Sequence, residues 1–151
     1  GGAVFTPAEG WASGDNAIAH GMDLRWFVRK GFDDDTLIAA VRFSGYAQVG
    51  RGFDTSVHGG AVETCLDEST AEVIKAKKFP TASTASISFK ITKPLMPDVT
   101  YRVFARITKE VVARTIYEVE GEITSVDKSV KFASCTAKVA NSTALAAMGP
   151  S

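Results

Sequence analysis

The sequence is poor in several features that would point to particular chemistries. It holds two cysteines, Cys65 and Cys135. Two do not make a disulfide framework, so free buried thiols in a reducing compartment are expected. Its two histidines, His20 and His58, are too few for a metal site, and no metal is expected. No apolar run approaches the ~20 residues of a membrane span, and no secretory apolar segment is visible. The chain begins Gly1-Gly2 without Met, so a native targeting segment is not legible from it. Neither sign of charge is in excess, with 17 Lys and Arg against 17 Asp and Glu. That balance lacks the basic surplus of a nucleic-acid binder. It also means little self-repulsion, which permits oligomers.

What is present suits one domain: 151 residues, 45% of them apolar, enough to bury a core without staples. Residues 1–20 show no clean period and read as an arm, with one helical turn near Pro7-Ala8-Glu9. Met22 to Arg29 and Thr36 to Phe43 read as a hairpin around Gly31-Phe32-Asp33-Asp34-Asp35. Ser44 to Val57 reads as a loop. From Gly60 to Lys78, Val62, Leu66, Val73 and Ile74 recur at roughly helical spacing, with Ala61 and Cys65 beside them, and Phe79-Pro80 ends the helix. Four strands follow: Thr84 to Thr92, Thr100 to Lys109, Val112 to Ser125 and Val130 to Ala140. Residues 142–151 read as a flexible tail. The expected fold class is α+β, a curved antiparallel sheet of about six strands wrapped around one long helix.

One stretch carries chemistry. Two glycines after His58 open the helix, where backbone amides approach a ligand without a Cβ in the way. A helix start offers unpaired N–H groups and positive dipole potential, suited to a carbonyl becoming an oxyanion. Asp67 lies nine residues after His58, about two turns into the helix. Glu63, Glu68 and Glu72 read as solvated surface charge. Cys65 lies on the apolar side and reads as core rather than as a nucleophile.

The run His58-Gly59-Gly60-Ala61-Val62-Glu63-Thr64-Cys65-Leu66-Asp67 resembles the signature of PaaI-type hotdog thioesterases, a family that includes the human thioesterase-superfamily-member enzymes. The block Thr84 to Pro94 resembles the strand after the central helix there, which ends in a basic residue and Pro. The resemblance covers roughly residues 20 to 141. It implies a hotdog domain over 21–141 that hydrolyses acyl-CoA to free acid and coenzyme A. Asp67 would be the catalytic carboxylate, activating water as a base or attacking directly, the base role being favoured. The Gly59 amide would serve the oxyanion, Gly60 would open the helix, and His58 would shape the loop. Thr84 would place the water from the partner subunit, in a homodimer that pairs further into a tetramer. Relatives hold an Asn or Gln a few residues before the glycines; here Gln48 is the nearest amide.

The resemblance implies no cofactor, coenzyme A being part of the substrate. Its phosphates call for cations, with Lys90, Lys93, Arg51 and Arg114 as candidates. Trp26, Phe53, Phe79 and Phe89 are candidates for an acyl slot. Cytosol and mitochondrial matrix both hold acyl-CoA, and the acyl group is not legible. Two other readings remain open. One is a non-catalytic acyl-CoA-binding or regulatory protein of the same fold. The other is a hydratase or dehydratase, which needs an Asp and a His about one helical turn apart; five positions after Asp67 stands Glu72, and no His follows His58.

Overall fold

The computed structural model describes residues 2–5, 21–29, 34–49 and 56–147. Their elements are β1 (Gly2–Phe5), β2 (Met22–Arg29), β3 (Thr36–Phe43), a 3-10 turn (Gly45–Ala47), β4 (Gln48–Val49), β5 (Ser56–Val57), α1 (Gly59–Lys77), β6 (Ala82–Ile91), β7 (Thr100–Val112), β8 (Ile116–Thr124), β9 (Lys131–Asn141) and α2 (Ser142–Ala147). Seven strands form one antiparallel sheet in the order β1-β2-β3-β7-β8-β9-β6, and β4 and β5 form a separate ladder. Alternation decides which face is buried. Tyr101, Val103, Ala105 and Ile107 of β7, Tyr117, Val119 and Ile123 of β8, and Ala133, Cys135, Ala137 and Val139 of β9 all turn inward.

The sheet curls around α1, whose buried stripe is Val62, Cys65, Leu66, Ser69, Thr70, Val73 and Ile74. This is the a/d spacing of an amphipathic helix. Ser69 and Thr70 interrupt the stripe chemically but not physically. Their hydroxyls donate to the carbonyls of Cys65 (2.7 Å) and Leu66 (3.0 Å), and the Trp26 indole N–H donates to the Ser69 Oγ at 3.3 Å. Buried polar groups with such partners avoid the desolvation penalty. Gly121 of β8 lets the helix lie close: a Cβ there would stand 3.0 Å from the Cys135 Sγ and 3.2 Å from the Thr70 Cγ2. No helix among the described residues is long and apolar enough to cross a membrane.

Several boundaries differ from those expected. The helix begins at Gly59, because the preceding His58 caps it. Strand β7 runs on to Val112, and Arg114, at φ 56°, turns the chain into β8. Gly2–Phe5 adds a seventh strand along β2, although residues 1–20 lack periodicity; the helical turn expected near Pro7 lies outside the described residues. Where a tail was expected, Asn141 caps α2, its Oδ1 accepting the N–H of Thr143 (3.1 Å) and Ala144 (3.2 Å).

Candidate active site

The start of α1 is held from two sides. Strand β4 pairs with β5, Gln48 opposite Val57. The Val57 N–H donates to the Leu95 carbonyl at 2.8 Å, and the His58 N–H to the Ala47 carbonyl at 2.6 Å. Leu95, 1% exposed, plugs the segment between β6 and β7 into the core. A helix leaves its first four N–H groups without intrahelical partners, and here each can be followed. That of His58 goes to Ala47. That of Gly60 donates to the His58 Nδ1 at 2.8 Å, and that of Ala61 to the His58 carbonyl at 2.9 Å. The Gly59 N–H is left with no acceptor among the described residues.

The two glycines are small for different reasons. A Cβ on Gly60 would press on the His58 ring, 3.0 Å from Nδ1 and 3.2 Å from Cε1. A Cβ on Gly59 would meet the Ile91 Cδ1 at an ordinary 3.6 Å, and its φ is not left-handed. Neither packing nor backbone geometry therefore requires glycine at position 59. Beside it opens a cavity of about 340 Å³, walled by Val57, Val62, Ile91, Pro94 and Leu95, with Lys93 in its lining. The first turn of α1 carries no acidic residue, so the helix's positive end is uncompensated.

The second group of residues lies further along the same helix. The Thr84 hydroxyl of β6 donates to the Asp67 Oδ1 at 2.7 Å, both residues half-buried. Plain alternation would not allow this, since Ile87 and Phe89 point inward and put even-numbered positions outside. A register shift between Thr84 and Ser86 against β9 resolves it. This bulge inserts one residue, so Thr84 and Ile87 both face the helix. Burial pushes the Cys135 thiol up to about 12, with Asp67 and Glu120 adding to it, and pushes that of Cys65 higher still. Both thiols stay protonated at neutral pH, and neither supplies a nucleophile. Burial also raises Glu68 and Glu72 above the usual carboxylate range, Lys75 opposing it in both.

Among solved structures, the fold matches the PaaI protein of the Escherichia coli phenylacetic acid degradation operon, with a TM-score of 0.65 and 14% identity over 83% of this chain and 82% of that one. It also matches smu.793 of Streptococcus mutans UA159, solved bound to acetyl-CoA, with a TM-score of 0.63 and 20% identity over 80% and 88%. A third match is a hypothetical thioesterase of Streptococcus pneumoniae TIGR4 solved with coenzyme A, with a TM-score of 0.62 and 13% identity over 79% and 86%. The chain has the hotdog fold. No family model matches the sequence, and a search of curated protein sequences gives no match. At such identities the hotdog neighbours establish architecture, and function has to be argued from the site.

Within the hotdog frame, the residues singled out by sequence fall into two groups. His58, Gly59, Gly60 and Lys93 meet at the helix start, and Asp67 meets Thr84. The resemblance gives Thr84 to the partner subunit; within this chain the bulge already brings its hydroxyl to the Asp67 carboxylate. Lys90 is exposed on the outer face of β6, and Arg114 occupies the exposed β7–β8 turn, away from the Gly59 cavity. Arg51 and Phe53 lie outside the described residues. Trp26 is core at 3% exposure, and Phe79 packs against Tyr117 with ring centroids 5.7 Å apart. Phe89 is half-buried on the inner face of β6. A second cavity, about 380 Å³, lies across β7, β8 and β9; the ion pairs Arg106–Glu120 (3.2 Å) and Lys131–Glu122 (3.4 Å) consume its charges, and it touches neither Gly59 nor Asp67. Sequence reasoning missed Leu95 and Ile91. A Lys-Pro pair ahead of a lone Leu marks the former only weakly.

Proposed function

We propose that this protein hydrolyses acyl-CoA thioesters at a site shared by two copies of the chain. The observation that carries this reading is the Gly59 N–H, the one first-turn donor without an acceptor among the described residues, set against the Asp67–Thr84 pair. Gly59 and Asp67 are eight residues apart on one helix, about 12 Å along its axis. That is too far for both to act on one carbonyl. A second copy closes the gap. Strand β6 ends the sheet, and its free edge invites pairing with another β6. An antiparallel twofold pairing centred between Ile87 and Ser88 sets Thr84 of one chain opposite Ile91 of the other. Ile91 already lies against Gly59. The carboxylate of one protomer thus comes to the free amide of its partner.

The chemistry then balances. The thioester carbonyl accepts from the Gly59 N–H. The Thr84 hydroxyl donates to the Asp67 Oδ1, which leaves its own lone pairs to accept from a water. The other Asp67 oxygen takes that water's proton as its oxygen bonds to the carbonyl carbon. Collapse of the tetrahedral intermediate breaks the C–S bond, and the proton on Asp67 passes to the departing thiolate. The presence of Lys93 in the lining of the Gly59 cavity supports its pairing with a phosphate of coenzyme A. The acetyl-CoA and coenzyme A bound by the S. mutans and S. pneumoniae neighbours support this substrate class. The test is thiol release from acyl-CoA esters graded in length. Release with at least one chain length is expected. Binding of every ester without release would overturn the enzyme reading in favour of a carrier or sensor.

A further inference from the structure

The hydrogen bonds of the α1 start give His58 a role beyond shaping a loop. This side chain and its carbonyl take two of the first-turn N–H groups, those of Gly60 and Ala61, and the carbonyl also receives Val62 at 3.2 Å. Histidine is not a favoured helix cap; Ser, Thr, Asp and Asn are. It fits here because Gly60 leaves room for the ring. We infer that His58 is a positioning residue: its neutral imidazole caps α1 and so leaves the Gly59 N–H as the one donor open to the substrate oxyanion. The inference rests on the thioesterase reading for its consequence, but not for the cap itself.

The imidazole caps only when its Nδ1 carries a lone pair. Protonated imidazole bears hydrogen on both nitrogens and accepts from neither side. The Gly60 N–H then faces another donor, and the first turn has to rearrange around it. Protonating the ring would therefore cost activity through the cap, separately from any effect on Asp67. The imidazole is exposed, and no charged side chain among the described residues bonds to it. Along α1 the first ionisable residue is Glu63, with Asp67 and Glu68 a turn further on, and Lys93 and Asp98 lie on the segment after β6. Strand β4 brings none.

The test compares kcat against pH for the wild type, His58→Ala, His58→Asn and Gly60→Ala, alongside amide NMR of Gly60. Asn keeps a cap acceptor but does not titrate. His58→Ala is expected to lower kcat about tenfold with KM changed much less. His58→Asn should recover most of that loss, with its acid limb moved to lower pH. Gly60→Ala improves helix propensity yet displaces the ring, so it should hold or raise Tm while kcat falls as in His58→Ala. In the wild type the Gly60 amide shift should titrate together with the imidazole. An Asn variant as impaired as the Ala variant, an unmoved acid limb or a Gly60 amide blind to the imidazole would each overturn the inference. Should the wild type hydrolyse no acyl-CoA, the thioesterase reading fails, while the Gly60 titration still decides the cap.

Discussion

The two ends of the proposed site are built on one helix by opposite means. At Gly59 the group we propose to act is a backbone amide, made available by removing things: no Cβ, no acceptor among the described residues and no acid in the first turn. At Asp67 it is a side chain, made useful by adding things: a hydroxyl at 2.7 Å, a bulge to aim it and half-burial around both. An oxyanion donor must meet charge that exists only briefly, so it works best pre-oriented and empty. A base must hold a water through the whole cycle, so it works best with a fixed neighbour. The contrast also explains the distance between them. The helix N-terminus is where N–H groups go unpaired, whereas β6 crosses the helix two turns later.

Breaking the carboxylate end should have the largest effect. Asp67→Asn is expected to lower kcat about 10³-fold, with binding of acyl-CoA retained, as read by steady-state kinetics and calorimetry. Activity above a tenth of wild type would remove Asp67 from its role. The Gly59 end should be next. Gly59→Ala costs the fold nothing that the packing reveals and gains helix propensity, yet it crowds the donor. A kcat loss of about 10²-fold at unchanged or raised Tm is expected. These variants together test the division of labour between chains. Unfolding and refolding them as a mixture makes dimers in which one site has Gly59 from one chain and Asp67 from the other, both intact. Recovery towards about a quarter of wild-type activity follows if the site spans the twofold; no recovery means each chain acts alone. The smaller side of the carboxylate end is Thr84. Thr84→Val should cost about tenfold in kcat, and Thr84→Ser only about threefold.

Much of this arrangement was legible in sequence, and the failures have physical causes. The helix showed because Val62, Leu66, Val73 and Ile74 keep its period, but Ser69 and Thr70 hid the middle of the buried stripe. Their hydroxyls satisfy themselves on the preceding turn, which polarity alone does not reveal. The strands β2, β3 and β6 to β9 followed from alternation; those short of sequence signal are β1, which gains its place by pairing with β2, and the two-residue β4 and β5 within the expected loop. The residues Gly59, Asp67 and Thr84 came from the spacing of the signature. The approach of Thr84 to Asp67 within one chain did not, because it turns on a single inserted residue between Thr84 and Ser86 that no periodicity marks. Gln48 illustrates the same limit: ten residues before His58 in the chain, it is brought opposite Val57 by a ladder of two residues per strand.

The smallest expected effect separates Asp67 from its acidic neighbour. Glu68 follows it directly and is half-buried without a hydroxyl of its own. Burial holds its carboxyl above the usual range, Lys75 pulls the other way, and the charges of Asp67 and Glu72 add to the rise. A raised folded-state pKa means that the native chain binds the proton more tightly than the unfolded one. The stability associated with this group is therefore full below the unfolded-state pKa and is lost as pH rises through the folded one. At neutral pH the Glu68 charge is a net cost. Glu68→Gln should raise Tm at neutral pH, by no more than about 2 °C given the partial exposure. The gain should shrink on acidification and vanish below the ordinary glutamate range, with kcat unchanged throughout. A stabilised variant that had also lost kcat would show that the carboxylate end needs two acids, and the comparison with the bare Gly59 end would have to be redrawn around a pair rather than a single base.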